Sequence, residues 1–149
     1  MDTKIVPGVV KEQSIATLNP ADSVMDAVNM MTERKIGAVI IVDNRARLAG
    51  IFTERDLVNR VVAKGLDAAS TPLKQVMTAN PDTLGPDDTA MNALELMSAR
   101  RYRHLPVIDG ETVVGMVSIR DLFNVVKAQL EEDLREREKF IFGSDYGVA

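Results

Sequence analysis

Val24, Ala27, Val28 and Met31 are apolar at i, i+3, i+4 and i+7, the spacing of one helix face. Asp22 stands ahead of them as the expected N-cap. Lys35, Ile36 and Gly37 end this helix. Residues 38–43 then read Ala-Val-Ile-Ile-Val-Asp, apolar on both faces, as in a buried strand. Asn44, Arg45, Ala46 and Arg47 make a turn into a second strand over residues 48–52. Two strands joined so tightly are antiparallel. A further helix carries Leu57, Val58, Val61 and Val62 and stops at Gly65, after Lys64. Ahead of all this, Pro7-Gly8 marks a turn, and residues 17–22 read as a short extended lead-in.

The pattern then begins again. Ser70, Thr71 and Pro72 suit a helix cap with proline at the first helical position. Thr83-Leu84-Gly85-Pro86-Asp87-Asp88 matches residues 17–22 at an offset of 66. Ala90, Ala93, Leu94 and Met97 match the first helix face at that offset. Leu105-Pro106-Val107-Ile108-Asp109 matches residues 39–43. The offset falls to 65 after the shorter turn Gly110-Glu111-Thr112. The chain therefore reads as an N-terminal arm (1–8), a first repeat (9–65), a linker (66–74), a second repeat (75–127) and a C-terminal helix extension and tail (128–149). The fold class is α+β: two β-α-β-β-α repeats, their small sheets packed against helices with pseudo-two-fold symmetry. Neither half-sheet has enough strands to stand alone, so the copies should pack together.

The repeat is sharpest where the second strand of each copy meets the next helix. Gly50-Ile51-Phe52-Thr53-Glu54-Arg55-Asp56-Leu57 and Gly115-Met116-Val117-Ser118-Ile119-Arg120-Asp121-Leu122 share Gly, two apolar residues, a hydroxyl, Arg, Asp and Leu in register. Thr53 and Ser118 are N-cap residues, with Asp56 and Asp121 three positions on, in the first turn. A helix start leaves N–H groups free and carries partial positive charge, so it can hold an anion. Arg55 and Arg120 add full charges beside it. A carboxylate with a neighbouring hydroxyl suits a pair of ribose hydroxyls. The same spacing is also a capping box, which needs no ligand. Capping leaves the recurrence of Gly and Arg at fixed offsets unexplained.

Val125, Val126, Leu130 and Leu134 continue the last helix, whose outer face carries Glu131–Arg135 and Asp133–Arg137 pairs at i, i+4. That face reads as solvated, with a partner or dimer contact as the alternative. The aromatic tail from Phe140 to Tyr146 is expected to dock on a neighbouring surface. Met25, Met30, Met31, Met91 and Met97 read as core or dimer-face residues.

Charge and composition then exclude several functions. The 149 residues are 46% hydrophobic and carry a net charge of −4, which argues against a nucleic-acid binder. Four Phe, two Tyr and no Trp argue against single-strand stacking platforms. There is no cysteine and one histidine, His104, so thiolate and multi-histidine metal sites are excluded. No apolar run could span a bilayer, and no signal-peptide pattern opens the sequence, so a cytoplasmic protein is expected. Catalysis is not expected, since nothing near the corners would raise a carboxylate pKa toward neutrality.

Paired Gly-apolar-apolar-Thr/Ser-x-x-Asp corners, each preceded by an amphipathic helix and a hairpin, resemble a tandem cystathionine-β-synthase (CBS) domain pair, or Bateman module. Arg103-His104-Leu105-Pro106-Val107-Ile108-Asp109 also looks like that family's central strand. The resemblance covers roughly residues 9–127. It implies a regulatory module that binds AMP, ADP, ATP or a related adenosyl compound in clefts between the repeats. No metal is implied beyond magnesium carried on the nucleotide. It assigns ribose contacts to Asp121 with Ser118, and to Asp56 with Thr53. It lines the base pocket with Ile51, Met116 and Val117, and gives the phosphates to Arg103, His104, Arg120 and Arg55. Pro106, Thr83 and Gly37 complete the expected ligand-binding set. Gly37 and Ala38 stand where the second repeat has Arg103 and His104, so the two sites should differ, with the Asp121 site the stronger for phosphate. His104 serves equally as a hydrogen-bonded rim residue. The resemblance also implies a homodimer formed through helices and a regulated target on another chain, with no membrane partner. A protein-interaction scaffold with degenerate pockets, acting through its helices and tail, is the alternative.

Overall fold

A computed structural model describes residues 3–10 and 15–146. The first repeat contains β1 (Thr17–Leu18), α1 (Val24–Arg34), β2 (Ala38–Val42) and β3 (Leu48–Thr53). Its second helix, α2, opens as Glu54–Asp56 and continues through Leu57–Val62 with wider winding, so that Ala63 N–H donates to Val58 O at 2.9 Å. The linker holds α3 (Leu73–Val76). The second repeat contains β4 (Thr78–Ala79), α4 (Ala90–Arg100), β5 (His104–Asp109), β6 (Thr112–Ser118) and α5 (Ile119–Tyr146). Each hairpin is antiparallel, with Ala38 opposite Thr53 and His104 opposite Ser118 at the corner end. The lead-in segments run parallel to them: Thr17 pairs with Ile40, and Leu84 bridges to Val107.

Period-3.6 burial selects the expected helix faces. Val24, Ala27 and Met31 are buried on α1, as Ala90, Ala93 and Met97 are on α4. Four caps are reciprocal, Ser118 with Asp121 at the start of α5 among them. Ser23, Thr53 and Thr89 each accept from the backbone of Asp26, Asp56 and Asn92, whose side chains accept in return. Ser23, not Asp22, is therefore the N-cap of α1. Asp22 instead accepts from Asn19 N–H at 2.8 Å and ties the preceding turn. Pro72 is the N-cap of α3 rather than its first helical residue, because its ψ of 146° is extended.

The two repeats exchange their leading segments. Residues 3–10 were expected to lead into the first repeat, but they pack into the second repeat's core, where Ile5 and Val10 are buried with Leu84, Met97 and Leu122. Ile5 N–H donates to Asp88 O at 2.8 Å and Val6 N–H to Pro86 O at 3.1 Å. The linker does the same for the first repeat: Leu73 N–H donates to Asp22 O at 2.8 Å and Lys74 N–H to Pro20 O at 2.9 Å. β4 continues the exchange by pairing antiparallel with β3, Thr78 against Ile51. Arg47 and Glu111, 3.2 Å apart, join the two hairpin turns.

The last helix is longer and barer than its pattern suggested. Leu122 is buried, whereas Phe123, Leu130, Leu134, Phe140 and Ile141 are exposed. Neither the Glu131–Arg135 nor the Asp133–Arg137 pair closes to ion-pair distance; Gln129 Nε2 donates to Asp133 Oδ1 at 3.3 Å instead. The expected docking of side chains 142–146 lies outside the described residues. Among the described residues no helix is long and apolar enough to cross a membrane.

Candidate functional site

The two strand-to-helix corners face one another across a cleft of about 1330 Å³ between the repeats. Each corner is tied to its own hairpin in the same way. Glu54 N–H donates to Gly37 O at 3.0 Å, and Ile119 N–H donates to Arg103 O at 2.8 Å. Asp56 N–H goes to Thr53 Oγ1 at 3.3 Å and Asp121 N–H to Ser118 Oγ at 3.1 Å. Two of the first three helical N–H groups are thus occupied at each corner. Each helix start therefore has fewer free N–H groups to offer an anion than an uncapped one.

The corner carboxylates differ. At Asp56, Oδ2 accepts from Thr53 N–H at 2.9 Å and from Thr53 Oγ1 at 3.2 Å, while Oδ1 faces Arg60 Nε at 3.6 Å. Arg60 also donates from Nη1 to Met77 O at 3.0 Å and Val76 O at 3.2 Å. Asp121 Oδ2 accepts from Ser118 N–H at 3.0 Å, and its Oδ1 has no hydrogen bond among the described residues. Val125 stands where the first repeat has Arg60, so no arginine from that position faces the oxygen. The arginines differ too. Arg55 Nη1 donates to Arg101 O at 3.2 Å, across the repeats, whereas Arg120 has no partner among the described residues.

His104 leans over the first repeat's corner. A Cβ on Gly37 would lie 3.2 Å from His104 Cε1 and 2.8 Å from Glu54 Oε1, so the bare glycine leaves room for both side chains. Burial pushes the His104 pKa below its ordinary value of 6.5; Glu54 and Asp121 pull it back up, and Arg103 adds to the lowering. Glu54 occupies the position of Ile119 in the second repeat and adds an acidic neighbour from the opposite corner to Asp121 on His104's own.

The cleft brings together Asp121, Ser118, Arg120, Met116, Arg103, His104, Asp56, Thr53, Arg55, Ile51 and Gly37. Val117, Pro106 and Thr83 do not line it. Strand alternation turns Val117 into the second core while Met116 and Ser118 face out. Pro106 is buried in the hairpin opposite Met116, and Thr83 is exposed beyond the rim. Sequence reasoning missed Glu54, Arg60, Asp82, Tyr102 and two basic pairs, Arg34-Lys35 and Arg100-Arg101. The pairs carried a legible signal: they recur at the 66-residue offset, at the ends of α1 and α4. Lys35 and Arg101 are both left-handed, at φ 53° and 60°, which closes each helix at the cleft wall.

The charge of the cleft opposes that of the chain. Eight Arg and Lys residues line it against four carboxylates, although the whole chain carries −4. Among the described residues no group of acidic or histidine side chains could hold a metal ion.

The CBS domain family model matches residues 4–63 and 73–128. The CBS domain-containing protein CBSX3, mitochondrial, of Arabidopsis thaliana is 36% identical over 126 residues, covering 82% of this chain. The chain spans 61% of that relative's length and 19–24% of two longer Arabidopsis CBS proteins. A solved CBS-domain protein from Burkholderia ambifaria MC40-6 superposes with a TM-score of 0.79 at 34% identity, covering 85% of this chain and 95% of that one. The CBS domain protein PAE2072 from Pyrobaculum aerophilum, solved in complex with AMP, superposes with a TM-score of 0.68 at 24% identity, covering 73% and 83%. At that identity it speaks to the fold alone.

Proposed function

The chain belongs to the CBS domain family, and from that membership we propose that it is a regulatory module whose inter-repeat cleft senses an adenine nucleotide bearing phosphate. The observation that carries this reading is the excess of cations in the cleft of an acidic chain. A cleft with an excess of one sign of charge concentrates counter-charge, here phosphate. The nucleotide sits at the Asp121 corner. Asp121 Oδ1 takes the ribose hydroxyls, and Arg120, Arg103 and His104 take the phosphate. The Asp56 corner is occupied by Arg60 and works as a strut. The AMP complex of PAE2072, a protein of the same fold, supports the ligand class. The response passes to a target protein, and the module works as a dimer.

Thermal unfolding against AMP, ADP, ATP, NAD, S-adenosylmethionine and adenosine tests the reading, with Asp121→Ala and Asp56→Ala in parallel. A ligand at a hundredfold excess over its Kd adds about 2.7 kcal/mol, or roughly 5–11 °C in Tm for a chain of this size. The rise should be lost in Asp121→Ala. No response to any phosphorylated adenine compound would sink the proposal. Exposed Phe123, Leu130, Leu134 and Ile141 on α5 favour the second reading, a scaffold acting through that helix. It would be preferred if a partner bound α5 with an affinity indifferent to nucleotide.

A further inference from the structure

Among the described residues one buried side-chain oxygen lacks a hydrogen bond, Asp82 Oδ2. Unfilled buried acceptors are costly and rare, so each needs a reason. Asp82 lines the cleft. It sits on the short crossing between the two sheets. Thr78 pairs with Ile51 of the first sheet, and Leu84 N–H donates to Pro106 O of the second at 2.9 Å. Arg100 Nε lies 4.0 Å from the same oxygen, close enough to balance its charge and too far to fill its lone pairs.

The missing partner is an N–H or O–H donor. If the cleft takes an adenine nucleotide, the ligand has few donors to offer. Its phosphates are anionic acceptors and avoid a carboxylate. Its ribose hydroxyls are drawn to the open Oδ1 of Asp121. The donors that remain are the two hydrogens of the 6-amino group.

We propose that Asp82 is a specificity-determining residue whose Oδ2 accepts a hydrogen bond from the exocyclic amino group of the base. This rests on the nucleotide reading and adds a choice of base to it. A 6-oxo purine would set an acceptor against the carboxylate, leaving two facing acceptors unpaired. With the base held in that pose, the cleft favours AMP over IMP.

Calorimetric titration tests this with AMP, purine riboside 5′-monophosphate (hydrogen in place of the amino group) and IMP. Each is titrated into the wild type, Asp82→Ala and Asp82→Asn, with the melting point of each variant recorded. The wild type should bind AMP about ten- to a hundredfold tighter than the deamino analogue, the worth of a hydrogen bond to a charged group. Asp82→Ala should bring the two within about threefold of one another, whatever its effect on absolute affinity, because the ratio isolates the pair. Asp82→Asn keeps the shape and can turn an amide N–H toward O6, so it should narrow the AMP-over-IMP preference. A wild type that does not distinguish AMP from the analogue overturns the assignment, as does an Asp82→Ala variant that keeps the wild-type ratio. A wild type that binds none of the three overturns the nucleotide reading itself, and this inference with it.

Discussion

Arg60 Nε lies 3.6 Å from Asp56 Oδ1 and locks the first corner, while Val125, at the matching place in the second repeat, leaves Asp121 Oδ1 open. Two corners built on the same eight-residue pattern have thereby separated into one closed by an ion pair and one left open. The separation follows from one position on the following helix, a turn beyond the pattern itself.

The difference should appear as stability. Asp56 has a side chain only 13% exposed and gathers Thr53 N–H, Thr53 Oγ1 and Arg60. Asp56→Ala should cost about 1–3 kcal/mol, because it removes a half-buried acceptor of two hydrogen bonds and the carboxylate that faces Arg60. Asp121→Ala loses one exposed capping contact and should cost at most about 1 kcal/mol. Urea-unfolding midpoints compare the two, and equal losses would contradict the division of roles.

Glycine tolerance follows from what a methyl group would meet. At Gly50 a Cβ would stand 2.6 Å from Thr78 O and 2.7 Å from Met77 Sδ, and the carbonyl belongs to the β3–β4 pairing. Gly50→Ala should cost about 1–3 kcal/mol by forcing that strand away. At Gly37 the nearest atom is the tip of Glu54, which can swing aside, so Gly37→Ala should cost less than about 1 kcal/mol. Thermal melts of the two variants decide this, and a larger loss at Gly37 would be inconsistent with the geometry.

His104 predicts a pH slope. Burial, the largest cause, lowers its pKa in the folded chain below the ordinary 6.5, so the unfolded chain binds the proton more readily. The stability linked to neutral His104 is fully present above about pH 6.5. It is lost as pH falls through the lowered folded value. His104→Gln should flatten the stability–pH curve in that acidic window and leave it unchanged above neutrality. Denaturant midpoints from pH 5 to pH 8 would show it, and parallel curves for both proteins would exclude His104 as the source.

The repeat, the two hairpins, the helix faces and the paired corners were legible from local pattern. Thr53–Asp56 and Ser118–Asp121 are neighbours in sequence, and their geometry needs only one helical turn. The exchange of leading segments was not legible. Ile5 bonds to Asp88 and Leu73 to Asp22, and these are choices of partner that neither segment's own pattern specifies. β4 escaped notice because two residues carry no periodicity. Asp82 was hidden for the same reason as the exchange: it becomes a cleft residue only when the crossing between sheets is drawn. Val117 is the reverse case, a residue placed in the site by resemblance that strand alternation turns into the core.

The arginine pair offers the sharpest separation of binding from folding. Arg55 donates to Arg101 O at the end of α4, so its guanidinium is spent on holding the repeats together. Arg120 lines the same cleft with no partner among the described residues. Arg120→Ala should weaken AMP binding about tenfold, the loss of one charge-assisted contact. It should leave adenosine affinity unchanged, since adenosine has no phosphate to meet. The salt dependence of AMP affinity should shrink as well, because one cation no longer takes part. Arg55→Ala should show the opposite pattern: a lower melting point by at most about 1 kcal/mol of stability, because the contact is exposed, and a smaller change in the ratio of AMP to adenosine affinity. Titrations of both ligands at two salt concentrations distinguish the cases. If Arg55→Ala, and not Arg120→Ala, erased the preference for AMP, the phosphate would sit at the first corner and the assignment of the two corners would have to be exchanged.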